Sequence, residues 1–258
     1  DEIEEDASDR IWSLLGQVCH SILERSDQTG AIHEERISTE VMGWKVSGQS
    51  DCYITQQFDF ETGEYYEIHP TIRDYKLIKT MAGGFDHPDW EQQLNLLAYL
   101  WQEQGFPVLQ LEIVAIFRDW SKVLYERGER GYPKAVEVYK QKMWPLEEQE
   151  RFLIERVTIH QMAAGLRDEY LPLCTPEEQW RRPPKWAVMK YGNKKATKVC
   201  NSIADAQAYI DALPKEKNKY SIEHRPAVAT RCEMFCSVAP FCDQYAAEKA
   251  ADERNQQK

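Results

Sequence analysis

Residues 44–79 read WKVSGQSDCYITQQFDFETGEYYEIHPTIRDYKLIK, and this stretch decides the fold class. It is rich in β-branched and aromatic residues, which favours strands, and the sequence ETGE at residues 61–64 is typical of a turn. We therefore predict antiparallel strands over residues 44–60 and 71–79. On the second strand Asp74 and Lys76 are two residues apart, so both side chains project from the same face.

Helical and strand patterns continue on both sides of this strand pair. Apolar residues recur at helical spacing in four stretches, and Asp89 is the predicted N-cap of the third. These stretches are residues 10–25, 31–42 (the weakest), 89–104 and 145–168, and further strands are predicted at 108–117 and 135–142. The order of elements indicates an α/β domain with a mixed β-sheet flanked by helices.

The last third of the chain has a different pattern. Residues 185–199 predict a basic β-hairpin that turns at Tyr191-Gly192-Asn193, and a short helix follows near residues 202–212. We therefore expect a core domain over residues 1–172, with 1–9 as an acidic lead-in. A cysteine-rich segment, 173–258, would contain the hairpin and helix as an insertion at about 180–224.

The composition is that of a globular protein with an uneven charge distribution. The 258 residues are 42% hydrophobic and carry a net charge of −11. Six acids and one base lie in residues 1–10 alone. The longest stretch without Asp, Glu, Lys or Arg, residues 11–23, is too short to cross a bilayer and lacks the flanks of a signal peptide. We expect a cytoplasmic protein with no membrane partner.

Two carboxylates are candidates for a metal site. Asp51 ends the segment VSGQSD, and it comes 23 residues before Asp74, a separation that suits an antiparallel return. Adjacent carboxylates form the hard-oxygen site that Mg²⁺ or Mn²⁺ prefers, and Lys76 beside them would orient a water molecule. The alternative is a solvated ion pair of Asp74 and Lys76 at a strand edge.

Two further polar residues have a structural and a functional interpretation. Gln93 borders an apolar helix stripe, so it either caps the edge of the core or contacts substrate or the metal's water. His20 lies opposite its helix's apolar face, so it is either solvated or completes the metal's ligand set. The sequence His33-Glu34-Glu35 is interpreted as a charged helix face, from which Glu34 could supply a further acid.

Together these residues resemble the PD-(D/E)XK nuclease superfamily, in particular its RecB-like branch. The elements that carry the resemblance are, in order, His20, Gly48-Gln49-Ser50-Asp51, Asp74-Tyr75-Lys76 and Gln93. The branch expects Tyr four residues after Gln93, where this chain has Leu97, with Tyr99 two further on. The resemblance implies a restriction-endonuclease-like core that binds one or two Mg²⁺ or Mn²⁺ ions. The implied ligands are His20, Asp51, Asp74 and the Tyr75 backbone carbonyl, and the implied catalytic residues are Asp51, Asp74, Lys76 and Gln93.

The cysteines form a second constellation. Three of the seven, Cys232, Cys236 and Cys242, lie within eleven residues, a spacing that favours ligands over disulfides. With Cys174 they resemble the [4Fe-4S] ligand set of CRISPR-associated adaptation nucleases and AddB-type nuclease domains. The close pair in those proteins is C-x2-C and here it is C-x3-C, so zinc stays open as the metal. The remaining cysteines, Cys19, Cys52 and Cys200, are assigned to packing.

The basic run at residues 181–198 contains seven bases and no acid, interleaved with Trp186 and Tyr191 and preceded by Trp180. Such a run is either a solvated face or a track for a phosphate backbone, with rings that stack on unpaired bases. We predict the second. The predicted DNA-binding residues are Arg181, Arg182, Lys185, Lys190, Lys194, Lys195 and Lys198.

The sequence therefore predicts a metal-dependent DNA nuclease, similar to phage exonucleases, that acts on DNA ends or single strands. Its partners would be DNA and recombination or replication proteins in a bacterial or phage-infected cell. The pattern leaves open a non-catalytic DNA-binding module that assists recombination and keeps a structural metal. It also leaves open an RNA-processing enzyme with the same chemistry, and it does not fix the oligomeric state.

Overall fold

The computed structural model describes residues 11–26, 31–59, 61–84, 87–213 and 217–256, and the chain divides into two compact units at Gly165/Leu166. Both units mix helices and strands. The division comes seven residues before the domain boundary expected from the sequence.

The first unit is built on a five-stranded sheet. Its strands follow chain order, and every neighbouring pair is antiparallel except β3 and β4, so the sheet is mixed, as predicted. The elements are α1 (Ile11–Ser26), β1 (Ile32–Val41), β2 (Trp44–Asp59), β3 (Glu64–Ile78), α2 (Pro88–Glu103), β4 (Gln110–Phe117), α3 (Lys122–Glu126), β5 (Val136–Gln141) and α4 (Leu146–Ala164).

The predicted helix at residues 31–42 is wrong, because this segment is strand β1. It pairs antiparallel with β2 from Ile32↔Tyr53 to Val41↔Trp44. The two residues between the strands, Met42 and Gly43, have φ values of 52° and 79°, the left-handed conformation of a tight hairpin turn. The pairing with β2 thus overrides the weak helical spacing of the apolar residues.

The other predicted elements of the first unit are present with shifted ends, and the short helix α3 was not predicted. Helix α2 begins at Pro88 with His87 as N-cap, so the assignment of the N-cap to Asp89 is wrong; Asp89 lies in the first turn. Proline fits this position because a first-turn residue has no intrahelical partner for its N–H. Helix α4 ends at Ala164 with Gly165 as its C-cap, four residues before the predicted end.

The core of the first unit lies between α2 and the sheet. Leu94 and Trp101 of α2 pack in one buried cluster with Ile72 of β3 and Ile113 of β4. The indole of Trp101 also stacks on the Tyr53 ring, with the ring centroids 4.5 Å apart. This packing fixes α2 across the middle of the sheet, beside the segment that carries Asp74.

The second unit contains the predicted basic hairpin. Strands β7 and β8 pair antiparallel, β9 pairs on the other side of β7, and α5 covers a small core around Val188 and Ile210. Its elements are β6 (Arg181–Arg182), β7 (Lys185–Lys190), β8 (Ala196–Cys200), α5 (Ile203–Asp211), β9 (Tyr220–Arg225), β10 (Val228–Ala229), α6 (Thr230–Met234) and α7 (Asp243–Gln256). Within the described ranges, none of the helices has both the length and the hydropathy of a membrane span.

Candidate active site

The two predicted carboxylates lie where strands β2 and β3 part. The last pair of the β2–β3 ladder on this side is Cys52↔Arg73, so Asp51 and Asp74 are the first opposed residues beyond it. Strand β3 stays paired with β4 through Ile78. The Tyr75 N–H donates to Asp51 Oδ2 at 2.7 Å. The sheet thus opens into a fork with one carboxylate on each arm.

Asp74 is held from two sides by the other predicted catalytic residues. Gln93 on α2 donates from Nε2 to Asp74 Oδ1 at 3.0 Å, and Lys76 donates from Nζ to Gln93 Oε1 at 3.1 Å. The Lys76 ammonium is also 2.8 Å from Asp74 Oδ2. The fork therefore brings Asp74, Lys76 and Gln93 into one connected group, whereas a lone strand-edge ion pair would leave Asp74 solvated; it is only 3% exposed.

Two further side chains lie beside Asp51 on the other arm of the fork: the imidazole of His20 and the carboxylate of Glu34. His20 of α1 places Nδ1 at 3.5 Å from Asp51 Oδ1 and at 3.3 Å from Glu34 Oε1. Its Nε2 lies 3.2 Å from the backbone carbonyl oxygen of Tyr75. Within the described ranges, His20, Glu34 and Asp51 are the one group of three His, Cys, Asp or Glu side chains with potential ligand atoms all within 4.8 Å of one another.

Burial raises the pKa of both aspartates in the absence of a cation, and repulsion by Asp74 adds to the shift of Asp51. Burial, and next the charge of Asp74, raise the pKa of Asp51 to about 6 from an ordinary value of 3.8. Burial also raises the pKa of Asp74, although the Lys76 ammonium opposes the shift. Carboxylates with shifted pKa values in a cleft are typical of functional sites. A poorly solvated charge there lowers the stability of the fold, so it is kept mainly where it has a function.

The donor set fits a divalent cation. Asp74 Oδ2 is buried and lies 2.8 Å from the Lys76 ammonium, whose charge partly compensates it. Two carboxylates, a carbonyl oxygen and an imidazole form the ligand chemistry suited to Mg²⁺ or Mn²⁺.

Glu34 is the site residue that the sequence reasoning placed wrongly. The helical interpretation put it on a charged helix face, but β1 carries it to the mouth of the fork. The signal available in the sequence was the glycine of Val41-Met42-Gly43-Trp44, which is typical of a two-residue hairpin. Leu97 and Tyr99, the positions around the departure from the family pattern, are both buried in the core.

The four cysteines proposed as cluster ligands all belong to the second unit. Gln244 of α7 fixes Cys174 by accepting from its N–H and donating to its carbonyl, both at 2.9 Å. Burial raises the pKa of the Cys174 and Cys232 thiols, and the charges of neighbouring cysteines raise it further. Within the described ranges, no three of these thiol sulfur atoms lie within 4.8 Å of one another. Cys52 and Cys200, assigned to packing, are buried.

The predicted DNA-binding residues separate into two groups. Arg181 lies outside the hairpin, and its guanidinium forms ion pairs with Glu248 at 2.7 Å and Asp252 at 2.9 Å. The hairpin instead gains lysines from later in the chain, since the Tyr191 N–H donates to the Lys219 carbonyl at 2.8 Å. The tip of the hairpin, defined here as residues 190–195 together with 217–219, carries five lysines: Lys190, Lys194, Lys195, Lys217 and Lys219.

The remaining predicted residues, on β6, β7 and β8, lie outside the tip. Arg182 is on β6, and Lys185, at the opposite end of β7 from the tip, donates to Asn201 Oδ1 at 2.5 Å. Lys198 is exposed on β8. Tyr191, at the tip, is 90% exposed. The tip therefore presents an exposed aromatic ring on a lysine-rich segment, whereas Arg181 forms ion pairs with two carboxylates.

Comparison with known proteins gives little to set beside this geometry. No family model matches the chain, and no curated protein matches it either. A solved structure titled "Crystal structure of SSO0001" is similar at a TM-score of 0.37 and 16% identity, over 57% of this chain and 60% of that chain. The chain thus spans about three fifths of the length of that structure.

Proposed function

We propose that this protein is a metal-dependent DNA nuclease with a restriction-endonuclease-like core of the RecB-like branch. One observation carries the proposal: the carboxylates of Asp51 and Asp74 come together at the fork of β2 and β3, where burial and the charge of Asp74 raise the pKa of Asp51. Two neighbouring carboxyl groups with raised pKa values are unfavourable in a fold unless a cation compensates their charge.

Four groups would hold the cation: the carboxylates of Asp51 and Asp74, the carbonyl oxygen of Tyr75 and His20 Nε2. A bound Mg²⁺ or Mn²⁺ ion would supply Lewis-acid stabilisation of the charge that develops on a phosphodiester during hydrolysis. His20 Nε2 and the Tyr75 carbonyl oxygen lie 3.2 Å apart, and this supports the assignment because two potential metal ligands are then side by side.

Lys76 and Gln93 would position the nucleophile. The Lys76 ammonium can donate a hydrogen bond to a water molecule in line with the scissile bond, and Gln93 fixes the ammonium through its Oε1. The water oxygen bonds to phosphorus, the bond from phosphorus to the 3′-oxygen breaks, the water proton passes to solvent and the 3′-oxygen takes up a proton. The product would carry a 5′-phosphate, as the family resemblance implies. Holding the reactants in line is worth several kcal/mol of barrier.

The tip of the hairpin supports DNA as the substrate. The exposed Lys194 and Lys195 offer phosphate contacts, and the 90% exposed ring of Tyr191 is available to stack on an unpaired base. This combination suits single strands or frayed ends, so we propose exonuclease action in recombination, repair or phage DNA processing. Recombination or replication proteins in the cytoplasm of a bacterial or phage-infected cell would be its partners.

The four cysteines of the second unit would hold a [4Fe-4S] cluster, with zinc as the alternative metal. Thiolates suit both, and Cys174 and the segment of residues 232–242 would be joined by it. Anaerobic purification separates the two metals. A brown protein with broad visible absorption supports iron–sulfur, and a colourless protein with one zinc ion per chain supports zinc.

Labelled DNA tests the proposed activity. Single- and double-stranded substrates labelled at the 5′ or 3′ end are incubated with the protein and Mg²⁺, Mn²⁺ or EDTA, with and without unlabelled RNA. We expect cleavage with either metal and none with EDTA. Binding of DNA without cleavage under any condition would instead support the recombination accessory module. Strong inhibition of DNA cleavage by the unlabelled RNA would support an RNA-processing enzyme.

A further inference from the structure

Glu34 has a backbone conformation that a glutamate adopts only at a cost. Its φ is 50°, in the left-handed region, although the neighbouring pairs His33↔Cys52 and Glu35↔Ser50 are regular. Glu34 and Asp51 lie on facing strands between those two pairs, with carboxylate oxygens within 4.8 Å of each other, and like charges so close together are unfavourable. Backbone strain and charge repulsion at one residue indicate that the surrounding structure holds it there for another purpose.

A chain of side chains fixes one oxygen of Glu34. Gln49 on β2 donates from Nε2 to Glu34 Oε2 at 2.9 Å, and Arg36 donates from Nη2 to Gln49 Oε1 at 2.9 Å. The arginine also donates from Nη1 to Ser47 Oγ at 3.4 Å. This brace leaves the other oxygen, Oε1, directed at His20 Nδ1.

Both ring nitrogens of His20 face oxygen atoms. Nδ1 lies 3.3 Å from Glu34 Oε1 and 3.5 Å from Asp51 Oδ1, and Nε2 lies 3.2 Å from the Tyr75 carbonyl oxygen. A neutral imidazole has one N–H, so it can donate from one nitrogen and must present a lone pair from the other. If Nδ1 donates to Glu34, the Nε2 lone pair and the Tyr75 carbonyl repel each other unless a proton or a metal cation lies between them.

We infer that Glu34 is a positioning residue that holds the Nδ1–H tautomer of His20, so that Nε2 and the Tyr75 carbonyl together face a divalent cation. The inference rests on the proposed metal site and adds to it the residue that orients one ligand. Carboxylates in this role fix the ring and increase its basicity, and their removal lowers metal affinity by about 10- to 100-fold.

Three variants of Glu34 separate positioning from direct coordination and from a folding role. Glu34→Ala removes the hydrogen bond to His20. Glu34→Gln keeps an amide oxygen that can accept from Nδ1–H but is a poor ligand for the ion. Glu34→Gly removes the carboxylate and the backbone strain together, so it is protected against misfolding caused by the φ of this position. Glu35→Gln, the exposed neighbour, is the matched control.

Calorimetric titration with Mn²⁺ gives the affinities, and long-range ¹H–¹⁵N spectra of the Mg²⁺-loaded protein give the tautomer of His20. We expect Glu34→Ala and Glu34→Gly to bind about 10- to 100-fold more weakly, with Glu34→Gln within about fivefold of wild type and Glu35→Gln unchanged. The spectra should show Nδ1–H in the wild type and lose that preference in Glu34→Ala.

Wild-type affinity in Glu34→Gly, or an Nε2–H tautomer in the loaded wild type, would overturn the inference. So would equal losses in Glu34→Gln and Glu34→Ala, since these would mean direct coordination. A failure of the proposed function appears differently, as an absence of metal-dependent cleavage by the wild type. The inference alone fails if the wild type cleaves DNA and the Glu34 variants bind metal as it does.

Discussion

At the scale of the residue, Asp51 and Asp74 are a destabilising pair that a cation would turn into a stabilising one. Burial and the neighbouring charge raise the pKa of Asp51 to about 6, so the folded chain prefers this side chain protonated. The unfolded chain has an ordinary carboxyl that ionises near 3.8. Without metal, stability contributed by protonated Asp51 is therefore present below about pH 4 and is lost as the pH rises to about 6.

We predict that Asp51→Asn stabilises the metal-free protein at neutral pH. The substitution removes a buried negative charge, so the free energy of unfolding in EDTA at pH 7.5 should rise by about 1–3 kcal/mol. At pH 4.5 the gain should be much smaller, because Asp51 is protonated there. Urea denaturation at the two pH values measures both quantities, with exposed Glu40→Gln as control. An equal effect at both pH values would contradict the assigned cause.

The same carboxyl should make metal binding depend on pH. A cation must displace the proton of Asp51, and at pH 5 a group with a pKa of about 6 is mostly protonated. Affinity for Mn²⁺ should therefore fall about tenfold between pH 7.5 and pH 5. Calorimetry in two buffers of different ionisation enthalpy should also detect proton release at pH 5.5. A pH-independent affinity would place the cation away from Asp51.

At the scale of the element, the fork depends on a close approach of β2 to α2. A Cβ atom on Gly48 would lie 2.6 Å from Leu97 Cδ2 and 3.1 Å from Leu100 Cδ1. The glycine of the Gly48-Gln49-Ser50-Asp51 motif thus lets the strand pack against the helix that supplies Gln93. Leucine at position 97 is part of this contact, in the place where the family pattern has tyrosine.

We predict that Gly48→Ala destabilises the fold by about 1–3 kcal/mol, because the added methyl group overpacks this contact. Leu97→Ala alone should cost about 2–5 kcal/mol through the cavity it leaves. The double variant should be more stable than the sum of the two costs predicts, since the new methyl group partly fills that cavity. Additive costs in denaturant unfolding would show that Gly48 and Leu97 are not in contact.

The elements show where sequence reasoning succeeds and where it fails. The β2–β3 pair and α2 were predictable because their β-branched content, turn residues and helical period all agree. Residues 31–42 were misassigned because Ile32, Ile37 and Val41 have nearly helical spacing, while the strand character comes from pairing with β2. Asp51, Asp74, Lys76 and Gln93 were found by their motif, but the approach of Glu34 to His20 depends on that pairing and on a left-handed φ, which single-residue patterns do not encode.

At the scale of the whole molecule, the net charge of −11 conceals a local positive surface. The tip of the hairpin collects lysines from two separate segments, while Arg181 is engaged with Glu248 and Asp252. The run of bases in the sequence was thus a good indicator of the hairpin and a poor guide to which bases face solvent. Convergence of residues 190–195 with 217–219 follows from the pairing of β7 with β9.

We predict that Lys194→Glu weakens DNA binding and lowers its salt dependence. In an Asp74→Asn background, which prevents cleavage, the slope of log K against log salt for single-stranded DNA should fall by about 0.7 for each lost phosphate contact. Lys249→Glu on α7 is the matched control, because it gives the same net charge. Fluorescence anisotropy at several salt concentrations measures the slopes. Identical slopes for the two variants would show that the tip is not part of the DNA interface.

One measurement tests whether the fork of β2 and β3 is the active site. It is the initial rate of nucleotide release from end-labelled DNA at saturating Mg²⁺, compared between the wild type, Asp74→Asn and Lys76→Ala. Far-ultraviolet circular dichroism and DNA binding establish that each variant is folded. We predict metal-dependent release by the wild type and a loss of at least about a hundredfold in both variants, because each removes a group that holds the reacting atoms. Undiminished release by either folded variant would contradict the assignment of the fork as the active site.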